Sequence, residues 1–163
     1  MRETTYSTPV HARLETVWEI LMDKAEHPDR FIPGVENCRI SDRFEGGFIR
    51  TMKLQGMETT ERVIIDMEGG EIRFELLEHP LFSGFIVNRV VPTSRQSPVA
   101  PQTLTFTVEW IPKTDEADRS LREEMSQAVQ QAALVVKELA EEADGGEPPG
   151  RPTVQGSTED LQL

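Results

Sequence analysis

The chain has 163 residues, 37% of them hydrophobic and 6% aromatic, with 29 acidic against 17 basic side chains and a formal net charge of -12. That length makes one domain with appendages, and that apolar content belongs to a globular chain rather than a disordered one. Residues 1 to 114 carry 17 acids and 13 bases while residues 115 to 163 carry 12 acids and 4 bases, an excess that argues against nucleic acid and anionic membrane surfaces as partners and reads most simply as a solubility device.

The opening Glu3 to Val10 alternates weakly, is rich in threonine and predicts a strand that Pro9 interrupts. A helix is expected from about Arg13 to Glu26: Val17, Leu21 and Lys24 stack on one side, and Trp18, Leu21, Met22 and Ala25 form the adjoining apolar stripe. Pro28 ends it, and Phe31, Ile32, Pro33 and Gly34 form an apolar corner expected to fold back on a sheet. Glu36 to Glu45 and Phe48 to Gly56 follow as strands around the hairpin signal Gly46-Gly47. Val63, Ile65 and Met67 then alternate with Arg62, Ile64 and Asp66, and after Gly69-Gly70 the residues Ile72, Phe74 and Leu76 alternate with Arg73, Glu75 and Leu77. Ser83 to Val91 is a further strand, and Leu104, Phe106, Val108 and Trp110 give the cleanest alternation in the chain.

A sheet with one apolar face needs a cover. The second helix, from about Asp115 to Glu142, offers one through Leu121, Met125, Ala128, Ala132, Val136 and Leu139. The architecture expected is therefore α+β: a curved antiparallel sheet of six to seven strands around a long C-terminal helix, with space for a ligand beneath the helix's small residues. Pro92 to Pro101 reads as a loop between the last two strands, residues 1 to 143 as the domain, and Asp144 to Leu163 as a disordered acidic tail.

Few residues announce chemistry. His11, His27 and His79 lack a His or Cys neighbour at metal-ligand spacing and read as solvated loop histidines, and no metal or cofactor is expected. Cys38 stands alone, which excludes an intramolecular disulfide and fits a reducing compartment. Met1 to Pro9 lacks the apolar core of a signal peptide and no run of about 18 apolar residues occurs, so a cytoplasmic protein without stable membrane insertion is expected.

The informative signal is a pair of charges on the apolar face. If Phe48, Met52 and Leu54 point inward, the period of two sends Arg50 inward, and Glu61 follows Val63 and Ile65 in the same way. With a turn near Met57 the two become diagonal cross-strand neighbours. Burying them costs several kcal/mol per ion unless they are well bonded. They read either as a salt bridge at a wet cavity mouth or as a polar anchor in an apolar pocket, with the arginine on a carbonyl, enolate or carboxylate and the glutamate as its orienting partner or general base. Asn88, Tyr6 and Trp110 are candidates for one further hydrogen-bonding group each.

Val17-Trp18, Arg30-Phe31-Ile32-Pro33-Gly34-Val35 followed by Cys38, Glu61-Arg62-Val63, Asn88 and Leu104 to Trp110 together resemble the AtaL-like family. That family lies within the START-like, polyketide cyclase and birch pollen allergen (SRPBCC) superfamily, and the resemblance runs over roughly residues 4 to 140. It implies the helix-grip fold, a long cavity between sheet and C-terminal helix, and binding of a small hydrophobic molecule. Two functions stand open. One is a binder of an aromatic or other apolar metabolite that acts as a cofactor-independent cyclase, aromatase or dehydratase; the other is a non-enzymatic carrier or interaction module with a largely filled cavity.

Overall fold

A computed structural model of the protein describes residues 3–93, 101–113 and 119–145. Seven strands form one sheet: β1 (Glu3–Val10), β2 (Val35–Phe44), β3 (Gly47–Leu54), β4 (Met57–Asp66), β5 (Glu71–Glu78), β6 (Phe82–Pro92) and β7 (Gln102–Pro112). Helix α1 (Leu14–Glu26) and a short 3-10 turn (Pro28–Arg30) separate β1 from β2, and helix α2 (Arg119–Ala143) follows β7. The strand order is β1-β7-β6-β5-β4-β3-β2 with every pair antiparallel. Each strand from β2 to β7 is thus a hairpin partner of the next, and β1 closes the other edge on β7. This is the curved antiparallel sheet and C-terminal helix expected from the sequence.

The hairpins account for the register. Gln55 and Gly56 both have positive φ, 52° and 80°, the backbone of a two-residue turn whose twist matches the flanking strands. It pairs Leu54 with Met57 and sets Arg50 directly opposite Glu61, closer than the diagonal relation expected from a turn centred at Met57. The preceding turn falls on Glu45 and Gly46, with Gly47 already paired to Phe44. Strand β2 carries register shifts between Glu36 and Arg39 and between Ser41 and Phe44, with Asn37 and Asp42 at φ of 56° and 47°. Irregularities of this kind bend a strand and increase its twist, and Asn and Asp tolerate the left-handed conformation better than most side chains.

Alternation buries Phe48, Arg50, Met52 and Leu54 on β3, Ile72 and Phe74 on β5, and Leu104, Phe106, Val108 and Trp110 on β7. Met67 departs from the pattern expected of β4: it is 72% exposed, because the strand ends at Asp66 and Met67 belongs to the turn. The buried residues fall into two clusters. The larger joins Val17, Leu21 and Ala25 of α1 and Ala132, Ala133, Val136 and Ala140 of α2 to the sheet. The smaller gathers Val35, Met52, Leu54, Phe82, Val108 and Trp110.

The inner face of α2 is rotated from its expected position. Leu139 is 40% exposed, whereas Ala133 and Ala140 are fully buried, since α2 packs between α1, β1 and β7 and alanines allow that close approach. Leu121 and Met125, expected on the same face, lie outside the described side chains, as do Asp115 at the start of the helix and most of the Pro92 to Pro101 loop. The ends of that loop are joined, Thr93 donating its backbone N–H to Pro101 O at 3.0 Å.

Asp144, which composition places at the head of a tail, sits instead at the start of α1. Its Oδ2 accepts the backbone N–H of Arg13 at 2.6 Å and its Oδ1 accepts the Thr16 hydroxyl at 2.8 Å. Arg13 itself supplies no capping bond, so a carboxylate from the far end of the chain neutralises the positive end of α1. Residues 146 to 163 lie outside the described residues.

Two stability outcomes follow. Phe74 is 1% exposed, so Phe74→Ala should cost ~3–5 kcal/mol, while Leu139→Ala should change urea unfolding by less than about 0.5 kcal/mol. Asp144→Ala should cost about 1 kcal/mol near neutral pH. The Arg13 N–H bond holds this carboxyl below its ordinary value of 3.8, so its contribution is present above that value and is lost as pH falls through the lowered folded one. Thermal melts of the two proteins should converge in acid.

Candidate functional site

Between the two core clusters lies a small internal cavity of about 40 Å³. Phe74, Phe106 and Ala132 reach it from the larger cluster and Met52, Leu54 and Trp110 from the smaller, with Ile32, Ile86, Ala128 and Val129 completing the apolar wall. Three charged side chains share that wall: Lys24, Arg50 and Glu61. Their exposures are 3%, 2% and 2%, far below what charged groups normally show unless they are paired.

Arg50 explains its own burial. Nε donates to Glu61 Oε1 at 2.8 Å and Nη2 forms an ion pair with the same oxygen at 2.7 Å, the direct consequence of the Arg50–Glu61 register pair. Nη1 donates to Ala25 O at 2.8 Å and more weakly to Lys24 O at 3.5 Å. Those carbonyls belong to the last turn of α1, where no intrahelical donor reaches them and the helix dipole is negative. The guanidinium therefore closes the C-terminus of α1 onto the sheet, with its Cζ 4.6 Å from the centre of the Phe74 ring. The expected inward pair is present, and its cation is largely occupied by protein partners.

The cation with capacity to spare is Lys24, which stacks with Val17 and Leu21 on one side of α1 and has no role in the sequence pattern. Its Nζ donates to Asn88 Oδ1 at 2.9 Å and lies 4.6 Å from the Phe74 ring centre and 5.1 Å from that of Phe106. Burial, then the neighbouring Arg50 charge, push its pKa from 10.5 down to about 7, with Glu61 acting in the opposite sense. Near neutrality a substantial fraction of the amine is uncharged. The signal was legible as a lysine three residues after Leu21 and seven after Val17, on the face that must be buried.

The other candidate residues divide. Trp110 lines the cavity opposite Gly84, where the left-handed φ of 118° and the approach of the Glu109 carbonyl leave no room for a side chain. Its indole Nε1 is buried without a partner among the described residues. Asn88 is fully buried behind Lys24 rather than on the wall, and its Nδ2 also lacks a described partner. Tyr6 pairs with Phe106 on β1 and packs half-buried against the larger cluster, away from the cavity.

His79 overturns the expectation of a solvated loop histidine. It is 3% exposed, and its Nδ1 accepts the backbone N–H groups of Leu81 and Phe82 at 3.1 and 3.2 Å, which places the ring proton on Nε2. Burial and then Lys113 lower its pKa, and its ring packs against Phe82 and Trp110. It organises the turn before β6. Among the described residues no cluster of His, Cys, Asp and Glu is placed to hold a metal ion, and none of the helices is long and apolar enough to cross a membrane.

The sheet, its order and the helix laid across it define the START-like helix-grip class, and solved structures agree. A START superfamily protein from Mycobacterium smegmatis is 15% identical with a TM-score of 0.65, over 86% of this chain and 98% of that one. A Thermobifida fusca protein is 20% identical with a TM-score of 0.67, over 94% of this chain and all of that one (100%). The Zhui aromatase/cyclase from Streptomyces sp. R1128 is 20% identical with a TM-score of 0.62, over 83% of this chain and 87% of its own. These likenesses are of fold. No curated protein matches the sequence significantly. Residues 8–143 match the family model described as AtaL, acetylaranotin biosynthesis cluster protein L, and the chain belongs to that family.

Lys24 gives the site a measurable signature. Its folded pKa lies below its unfolded one, so between about 7 and 10.5 the unfolded chain holds more protons and stability rises with pH across that window. Lys24→Met should therefore stabilise the protein at about pH 6, even after leaving Asn88 Oδ1 without its donor at a cost of about 1–3 kcal/mol. The advantage should shrink by about 1.4 kcal/mol per pH unit above pH 7 and reverse toward pH 10. Urea unfolding of both proteins across the range measures it.

Proposed function

We propose that this protein binds a small aromatic or otherwise apolar, oxygen-bearing metabolite between the sheet and α2. There it acts as a cofactor-independent cyclase, aromatase or dehydratase, by holding the ligand's oxygen against a buried polar floor. The observation that carries the reading is the placement of Lys24, Arg50 and Glu61 on the wall of an otherwise apolar space. Hydrogen-bond donors held in such a place stabilise negative charge developing on a carbonyl oxygen better than water does, because they do not reorganise when it develops. Membership of the AtaL family and the fold shared with an aromatase/cyclase are consistent with this chemistry.

Size sets a condition on it. A space of about 40 Å³ holds a few waters and no aromatic ring, so a ligand enters by displacing the cover. Ala128, Val129 and Ala132 of α2 are that cover, Ala132 buried and Val129 packed against both core clusters. The same narrowness favours a second reading, a non-enzymatic carrier or interaction module in which the polar cluster is structural.

Native mass spectrometry of the protein from its own host separates a protein that binds an apolar small molecule, enzyme or carrier, from an interaction module that retains none. Calorimetric titration with 2-naphthol tests the polar floor. Glu61→Gln keeps the shape of the side chain and one acceptor for Arg50, so the fold should persist while affinity falls about tenfold with loss of the charge-assisted pair. Equal affinity in the variant and the wild type would reduce Arg50 and Glu61 to a salt bridge and make the carrier reading the better one.

A further inference from the structure

The lysines of this chain are Lys24, Lys53, Lys113 and Lys137. Lys113 donates to His79 O at 2.9 Å, and Lys137 pairs with Glu141 at 2.8 Å and with Pro9 O at 2.7 Å. Lys53 points to the opposite side of β3 from Met52 and Leu54. Lys24 differs from all of these: it lines the cavity, is 3% exposed, and rests on two aromatic faces with a single described hydrogen bond, to Asn88 Oδ1.

From this geometry we propose that Lys24 is a nucleophilic amine that forms an imine with a ketone or aldehyde carbonyl of the bound ligand. An ammonium group in this place gains only ring faces and an amide oxygen in exchange for its hydration. A neutral amine keeps its lone pair free for a carbon atom in the cavity. Lysine is activated for such chemistry by desolvation and by a neighbouring cation, and both are present here. The charged groups that face Lys24 are Arg50 and Glu61, and their effects together with burial bring its pKa to about 7.

The step balances without an oxidant or a cofactor. The Nζ lone pair attacks the carbonyl carbon, a C–N bond forms, and the carbonyl electron pair moves to oxygen, which takes one proton given up by the nitrogen. The resulting carbinolamine loses its hydroxyl with the second nitrogen proton as water, leaving C=N. Asn88 is placed to steer the attack, since its Oδ1 already holds an Nζ hydrogen and its buried Nδ2 has no described partner. The resulting imine, once protonated, is a stronger electron sink than the ketone. It would favour loss of a proton from the adjacent carbon, the event that opens an intramolecular aldol closure or a dehydration.

The inference rests on the proposed entry of an apolar oxygen-bearing ligand, and the test keeps the two apart. The full chain is incubated with 2-acetonaphthone and sodium cyanoborohydride and followed by intact mass and peptide mapping, with calorimetric titration of the same ketone run in parallel without reductant. The expected result is saturable binding and one reduced adduct per chain, mapped to Lys24. Its rate should climb as pH rises through about 7, and it should be absent from both Lys24→Met and Lys24→Arg. Saturable binding with no adduct, or an adduct spread over Lys53, Lys113 and Lys137, would overturn the imine and leave the binding reading standing. A wild-type chain that neither binds the ketone nor is trapped by it would overturn both.

Discussion

The structure depends on one buried guanidinium. Arg50 reaches from the middle of β3 to the last carbonyls of α1 while Glu61, its cross-strand partner, holds it from the side. Each partner answers a separate need: the helix end requires donors that its own backbone cannot supply, and a cation 2% exposed requires a counter-charge and hydrogen bonds to offset its desolvation. Together they fix where α1 ends relative to the sheet. Phe74 lies beneath both Arg50 and Lys24, so the same ring seats the structural cation and the one left with bonding capacity.

That arrangement separates roles that the charges alone leave merged. Arg50 is held by Glu61 and by Ala25 O, whereas Lys24 is held by Asn88 and by aromatic faces. The contrast in partners is a contrast in chemistry. A guanidinium stays protonated in any protein environment, while an amine responds to burial by losing its proton. The cavity wall thus combines a hydrogen-bonded guanidinium–carboxylate pair with an amine whose pKa burial lowers to about 7.

The cover of this space is built from the other end of the chain. Helix α2 presents Ala132, Ala133, Val136 and Ala140 to α1 and the strands, and just beyond its last residue Asp144 binds Arg13 and Thr16 at the start of α1. The C-terminal half of α2 is thereby tied down by burial and by a carboxylate, while toward its N-terminal half Ala128 is only half-buried over the cavity. The cavity lies beneath Ala128, Val129 and Ala132.

The period of two in β3 and β4 was enough to send Arg50 and Glu61 to the apolar face, and the turn signals were enough to separate successive strands, because alternation and glycine placement are local properties of the chain. Lys24 was legible as a position stacked with Val17 and Leu21 on α1 and not as a reactive group, since its environment is assembled from Phe74, Asn88 and Phe106, which are distant in sequence and meet only in the sheet. His79 reads as a loop residue because it stands between Glu78 and Pro80, while its ring packs against Phe82 and against Trp110 across the sheet. Asp144 followed the composition of the residues after it and was assigned to a tail, although its partners are Arg13 and Thr16 near the other end of the chain. The sequence by itself determined the strands and their alternation, the inward charges and the class of fold, all set by short-range pattern. Only the tertiary structure decided which cation is held by a carboxylate, which by an amide oxygen and ring faces, and how little space lies beside them, because desolvation and packing are sums over contacts that no local pattern contains.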